Sequence, residues 1–248
     1  APQLLINLVN IGFCALIEEG TVHMAGIIEP FLRRGATVAA VMPRVIHDGE
    51  LRGVAALLQK ARTAGVTQAL VGNLGHVGIA RAAGLDLRGD WSLNLFNSYS
   101  LQIAAKAGLL SAAVSFELNM EQIRQLSKPL DTEIIAYGRL PAMLTERCLI
   151  KASAGRCACG APARMSDEYG GVYPVLREYV CRNAVYGPAK VFLGDRLDDV
   201  KKAGVRGARL LFTNEGPREC VEVAKSFLGL SGYRPNGLTR GLYYRGVE

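Results

Sequence analysis

The chain has 248 residues, 50% hydrophobic and 21% charged, enough to bury a large core at the upper end of what one domain holds. No apolar run reaches the ~20 residues of a membrane helix and the first residues lack the pattern of a secretory signal, so no membrane span is expected and the cytoplasm is the expected compartment. The net charge of +7 is uneven: Ala1 to Gly138 carries 11 Lys and Arg against 11 Asp and Glu, whereas Arg139 to Glu248 carries 18 against 11, which suits a polyanion-binding face or a plain solvated basic surface.

In chain order, the segments 37–43 (TVAAVMP), 67–73 (TQALVGN), 91–97 (WSLNLFN), 110–116 (LSAAVSF), 132–138 (TEIIAYG) and 208–214 (ARLLFTN) are short apolar runs that read as buried parallel strands. An apolar run at 4–9 (LLINLV) is a candidate seventh. Helical patterns lie between them at 49–65, 76–84, 98–108 and 118–128, three of them closed by a Gly suited to a helix C-cap. This alternation predicts an α/β fold, a (β/α) TIM-like barrel that the visible strands leave incomplete. A doubly wound dinucleotide-binding sheet is disfavoured, because the nearest glycine pattern, Gly72, Gly75 and Gly78, lacks the GxGxxG spacing.

From about Glu146 to Leu193 the periodicity lapses into Gly, Pro, Arg and Cys, and the β-α pattern then resumes with helices at 195–204 and 217–229. The expected organisation is therefore barrel units over 1–145, a cysteine-rich insertion over 146–193, and final βα units with a tail over 194–248. Four of the six cysteines, Cys148, Cys157, Cys159 and Cys181, fall within 34 residues of the insertion. Structural disulfides are not expected in a cytosolic protein, and crowded thiolates repel unless a cation offsets them, so a metal centre is the natural candidate. The spacing C-x8-C-x-C-x21-C departs from the paired ligands usual for zinc and suits an iron–sulfur cluster better. Zinc and non-ligating redox cysteines stay open. Arg147, Arg156 and Arg182 flank these cysteines, where a cation lowers a thiol pKa; they serve equally well as surface charge. Cys14 reads as a buried small hydrophobe, and Cys220, near a helix start, as a reserve ligand.

In a parallel barrel the reactive groups sit where strands end. Those positions hold Arg44, Asn73, His76, Asn94, Asn97, Ser115, Glu117, Tyr137 and Arg139. Asn73, Asn97 and Ser115 are equally suited to capping helices, whereas Glu117, Tyr137 and Arg139 beside a barrel axis must be paired or used. HExxH and GxSxG are absent, and only His23, His47 and His76 exist, so a Cys–His protease would have to use a histidine such as His76.

The stretch YGRLPAMLTERCLI with Cys157, then VYPVLREYVCRNAVY and TRGLYYRGV, resembles peptidase family U32, and LVGNLGHVGIARAAGLDLRGDWSLNLFNS with VSFELNMEQI resembles the segments upstream in its larger members. The resemblance runs from about Pro43 to Gly246. Its better understood relatives are oxygen-independent hydroxylases of ribosomal RNA cytidine, tRNA wobble uridine or ubiquinone precursors. They carry a 4Fe-4S cluster on four cysteines, and prephenate is implicated as hydroxyl donor for the RNA-acting ones. The resemblance thus implies Cys148, Cys157, Cys159 and Cys181 as cluster ligands, with Cys220 the alternative to either member of the C-x-C pair. The strand-end positions offer Glu117, Tyr137 and Arg139 as catalytic candidates and Asn73, His76, Asn94 and Asn97 as substrate contacts, with Arg182 beside Cys181 a further one. RNA is the expected partner. Collagenase-like peptidase activity and a zinc-holding RNA-binding module are the alternatives. Full-length members begin with further βα units, so a missing N-terminal barrel half or a partner chain that supplies it is also expected.

Overall fold

Strand and helix alternate through the first part of the chain because each apolar run is followed by an amphipathic one. The computed structural model describes residues 20–158 and 162–245. In order they form α1 (Gly20–Leu32), β1 (Ala39–Val41), α2 (Leu51–Thr63), β2 (Gln68–Val71), α3 (Val77–Ala82), β3 (Asp86–Gly89), α4 (Ser98–Lys106), β4 (Leu109–Ala113), α5 (Met120–Gln125) and β5 (Asp131–Thr145). There follow α6 (Leu149–Ala154), β6 (Ala163–Ser166), β7 (Val172–Arg177), β8 (Asn183–Phe192), α7 (Leu197–Lys202), β9 (Gly207–Leu211) and α8 (Pro217–Phe227). No helix among the described residues is long and apolar enough to cross a membrane. The apolar run at 4–9 and Cys14 lie outside the described residues.

The described residues form two compact units, one within 20–135, 198–209 and 241–245, the other within 136–158, 162–197 and 210–240. In the first unit β1 to β5 pair in parallel through Ala39↔Gln68, Gln68↔Asp86, Leu87↔Leu109 and Ser111↔Asp131. Helices return the chain between them, as parallel pairing requires. α2 turns Val54, Leu58 and Ala61 inward. Asn97 and Asn119 cap α4 and α5 by accepting the N–H of Ser100 and of Gln122, each at 2.9 Å. Leu58, Leu101, Leu118, Ile123, Ile134 and Ile135 are fully buried in this unit.

One expected strand is absent. Residues 91–93 of the WSLNLFN run form a 3-10 turn, Asn94 takes the left-handed conformation at φ 48, and only Leu95 makes an isolated bridge, to Val114. The strand of this βα unit is β3, whose Arg88 is buried and which Asp90, also buried, directly follows; these charges hid it from a search for apolar runs.

In the second unit the pattern changes. Beyond Ile135, β5 continues and pairs antiparallel with β8, from Tyr137↔Phe192 to Thr145↔Asn183, with irregularities around Pro141. β7 pairs antiparallel with β8 and with β6. The fold is therefore mixed α/β: parallel strand–helix units as expected up to β5, then antiparallel pairing among β5, β8, β7 and β6, while β9 also pairs with β5. The segment 146–193, where the periodicity lapses in the sequence, carries α6 and three strands, whose apolar residues are broken into short stretches by Arg164, Pro174, Gly187 and Pro188. Ile150, Val175 and Val185 form its core, against which Cys148, Leu149, Ala158, Ala163 and Tyr173 pack. Gly138 sits at φ +122, and a Cβ there would stand 2.0 Å from the carbonyl oxygen of Leu211, so only glycine lets β5 pass β9 so closely.

Candidate functional site

In the second unit, the β5–β8 ladder closes at Thr145↔Asn183; Cys148 comes shortly after β5 ends and Cys181 shortly before β8 begins. The fully buried Asn183 ties the start of β8 to the start of α6: its Oδ1 accepts the N–H of Leu149 at 2.6 Å, the residue after Cys148. Cys148 occupies the position before α6 and its Sγ accepts the Lys151 N–H at 3.3 Å. Cys148 is half-buried, while Cys157 and Cys181 are exposed. Cys157 lies between α6 and Ala158, which packs on the same small core. A pocket of about 400 Å³ opens there, lined among others by Ile150, Ser153, Ala154, Ala158, Arg164 and Val175. Cys159 lies outside the described residues, among which no three His, Cys, Asp or Glu side chains are grouped as a metal would need. The donors nonetheless suit a thiolate-bound group in kind: three accessible thiols on one segment, with basic residues beside them. Of those, Arg182 is buried and donates from Nε to Glu146 at 2.7 Å, so its charge is engaged beside Cys181.

A second cluster in this unit gathers around Tyr137. Its ring is fully buried against Phe212, centroids 5.3 Å apart, and its hydroxyl contacts Glu215 and Glu219, each at 3.3 Å. Lys190 lies 2.5 Å from Glu219 and 3.4 Å from Glu215, and Tyr233 donates to Glu219 at 2.8 Å. Burial, and then the two carboxylates, push the Tyr137 phenol far above its ordinary value, so it stays protonated and acts as a hydrogen-bond donor. Burial and the same carboxylate raise Tyr233 to about 12. Against the opposing effect of burial, Lys190 and the two phenols hold Glu219 below the usual carboxylate range. Cys220 sits in this cluster, its thiol pointing at the Glu215 carbonyl at 3.9 Å. Burial and the carboxylates of Glu215 and Glu219 raise its pKa. Arg139 donates from Nη1 to the carbonyls of Gly187 and Pro188, which places its guanidinium on the irregular part of the ladder.

In the first unit the strand ends hold the remaining candidates. Asn73 accepts the Gly75 N–H at 2.9 Å and Asn97 caps α4, so both do local work. Asn94 is exposed in its left-handed turn, and Glu117, expected to face an axis, is exposed, its N–H donating to Ser115 Oγ at 3.3 Å. His76 is buried, Nδ1 lacks a hydrogen-bond partner, and burial lowers its pKa. Arg44 lies over the Trp91 ring, 4.8 Å from its centroid.

Sequence reasoning missed Lys190, Glu215, Glu219, Tyr233 and Asn183. It also missed a buried network in the first unit, where Glu133 takes hydrogen bonds from Arg88, from Ser111 at 2.9 Å and from Arg209 at 2.7 Å, while Arg209 also reaches Asp90. Charges inside apolar strands, Arg88 and Glu133 for example, were the available signal.

These features define an α/β protein with an antiparallel, cysteine-bearing segment appended to its parallel strands. The model of peptidase family U32 matches residues 21–168, and the chain belongs to that family. No curated protein matches. Among solved structures, the U32 peptidase Mk0906 is similar at 14% identity over 80% of this chain and 78% of that one, with a TM-score of 0.47. CutC from Streptococcus agalactiae is similar at 10% identity over 77% of this chain and 80% of that one, also with a TM-score of 0.47.

Proposed function

We propose that this chain is a U32-family RNA hydroxylase, working without oxygen on a ribosomal RNA cytidine or a tRNA uridine, with a 4Fe-4S cluster held by Cys148, Cys157, Cys159 and Cys181. The observation that supports this reading is that Cys148 and Cys181 flank the Thr145↔Asn183 end of one ladder, Cys148 shortly after β5 and Cys181 shortly before β8, with Asn183 accepting the Leu149 N–H. Thiolates are the ligands that a soft metal centre takes. When bound, such a cluster supplies electron transfer or Lewis acidity toward a small hydroxyl donor such as prephenate. The chain's own residues do the rest. Asn183 and the Lys151 N–H orient Cys148. Tyr137, protonated at neutral pH, offers a fixed hydrogen-bond donor, and Lys190 keeps Glu219 ionised beside it. The basic surplus after Gly138 suits phosphate contacts.

Membership of the family is equally consistent with the collagenase-like peptidase reading, which the nucleoside test below separates from the hydroxylase.

The test is twofold. Protein purified anaerobically is expected to be brown, with about four irons and four sulfides per chain. Nucleosides from a deletion strain are expected to lack a hydroxylated cytidine or uridine by mass spectrometry. A colourless protein with one tightly held zinc would favour the binding module, and unchanged nucleosides with lost peptide cleavage would favour the peptidase.

A further inference from the structure

The small core of the second unit opens to the surface. The pocket of about 400 Å³ between α6, β6 and β7 has the buried Ile150 and Val175 at its base, and its walls are apolar apart from Ser153 and Arg164. Ser153, Ala154 and Arg164 are exposed and form its mouth. Leu149 and Ala158, also in its lining, each directly follow a cysteine, Cys148 and Cys157. Its volume is that of a small-ligand site, large enough for one nucleoside and too small for paired strands.

The chain around this mouth is basic and uncompensated. Between 146 and 166 it carries Arg147, Lys151, Arg156 and Arg164 against one acid, Glu146. All four cations are exposed, and each either lines the pocket or stands within two residues of one that does. Among the described residues, none of their charged groups has a hydrogen bond or an ion pair, whereas Glu146 is engaged by the buried Arg182 at 2.7 Å. The next acid along the chain, Asp167, is held inside its hairpin by the N–H groups of Tyr169 and Gly171 and by the Tyr173 hydroxyl.

Cations without acid partners attract a polyanion, and an apolar slot in their midst takes a flat apolar group. A nucleotide of single-stranded RNA joins the two in one unit, a planar base beside a phosphate, whereas an acidic peptide brings carboxylates alone. Enzymes that act on a base also draw it out of its stack into a pocket of apolar walls. We infer that the pocket beside α6 takes one unstacked pyrimidine of an RNA substrate, with Arg147, Lys151, Arg156 and Arg164 on the flanking phosphates. This deepens the RNA reading above and rests on it. It gives the basic surplus a place, and it assigns substrate contact to Arg147 and Arg156, which the sequence offered as neighbours of the cysteines or as plain surface charge.

The full chain, purified anaerobically, is titrated into a labelled oligouridylate and into an abasic RNA of the same length, with anisotropy read at several salt concentrations. The oligouridylate is expected to bind more tightly than the abasic chain. Ala154→Phe and Ser153→Phe, which fill the mouth from exposed positions, are expected to weaken oligouridylate binding by about 5- to 150-fold, the range of one base contact. Both should leave abasic binding and the salt slope unchanged. Gln in place of Arg147, Lys151, Arg156 or Arg164 is expected to weaken both RNAs alike and to lower the salt slope by about 0.7 each. Wild-type affinity in both phenylalanine variants overturns the pocket while the RNA reading stands, and so does a salt slope that the four glutamine variants leave unmoved. A labelled polyglutamate bound in place of RNA, with the same residues sensitive, gives the surface to an acidic protein and sinks the RNA reading as well. No binding of any probe overturns the inference, and the nucleosides of the deletion strain then decide whether the RNA reading falls with it. Melting curves matching wild type show that the variants are folded.

Discussion

Replacing Arg209 by Met tests whether the buried charges of the first unit act as one network. The Arg209 side chain is 3% exposed and reaches Glu133 Oε2 from Nε at 3.1 Å and from Nη2 at 2.7 Å, with Nη1 on Asp90. Arg88 takes the other Glu133 oxygen, so two guanidinium groups balance two carboxylates. Burial works against the charged form of Glu133, yet Arg209 and then Arg88 bring it from an ordinary 4.5 to about 2. That displacement corresponds to roughly 3 kcal/mol of interaction. Methionine keeps most of the stem packing but leaves Glu133 and Asp90 facing one guanidinium, and breaking a buried pair from one side costs about 3–5 kcal/mol. Burial already pushes Asp90 up, with Arg209 its main counterweight, so in the variant Asp90 rises further and holds its proton more strongly. An acid whose folded pKa is raised stabilises the fold below its unfolded value and loses that contribution as pH rises, so the variant's deficit is smaller at pH 5 than at pH 8. Urea unfolding followed by Trp91 emission measures this, since the backbone N–H of Trp91 donates to Asp90 at 2.8 Å. Adding Glu133→Gln to Arg209→Met should return part of the loss. A loss below about 1 kcal/mol, with no dependence on pH, would refute the network.

For the unaltered chain, the depressed Glu133 contributes stability above pH 4.5 that is lost as pH falls toward about 2, while protonation of Asp90 opposes it; acid titration of the urea midpoint should show the Glu133 loss, and Glu133→Gln should abolish that slope. Gly138→Ala forces a Cβ to 2.0 Å from the Leu211 carbonyl at φ +122 and is expected to cost more than about 4 kcal/mol, seen as loss of soluble folded protein; a normal yield and melt would mean that β5 and β9 can part there. Cys148→Ala and Cys181→Ala should abolish iron retention and Cys220→Ala should keep it, read as iron per chain after anaerobic purification; iron lost from Cys220→Ala would move the ligand set to α8.

What could be read in the chain before folding depends on where each residue's partner lies. β2, β4 and β5 are apolar because both faces are covered, and a local run suffices to find them. β3 is equally covered, but its interior position 88 is an arginine whose carboxylate partner sits 45 residues on, so the same local rule rejects it and settles on the apolar turn at Trp91 instead. The Tyr137 cluster follows the same logic. A phenol at a strand end was legible as a residue needing a partner, but the partners, Glu215 and Glu219, stand 78 and 82 residues away, in a loop and a helix start that look like solvent-exposed charge. Cysteines escape this limit, since four thiols within 34 residues are improbable without a shared cause wherever the strands run. Asn183 does not, because its value lies in the hydrogen bonds its Oδ1 accepts from the Leu149 and Ile150 N–H groups, more than thirty residues back along the chain. The buried polar groups that set the geometry of these sites are thus the ones local pattern hides, and a charged or amide residue inside an apolar run is the signal to follow: it has to be satisfied by some other part of the chain, and finding that part locates the site.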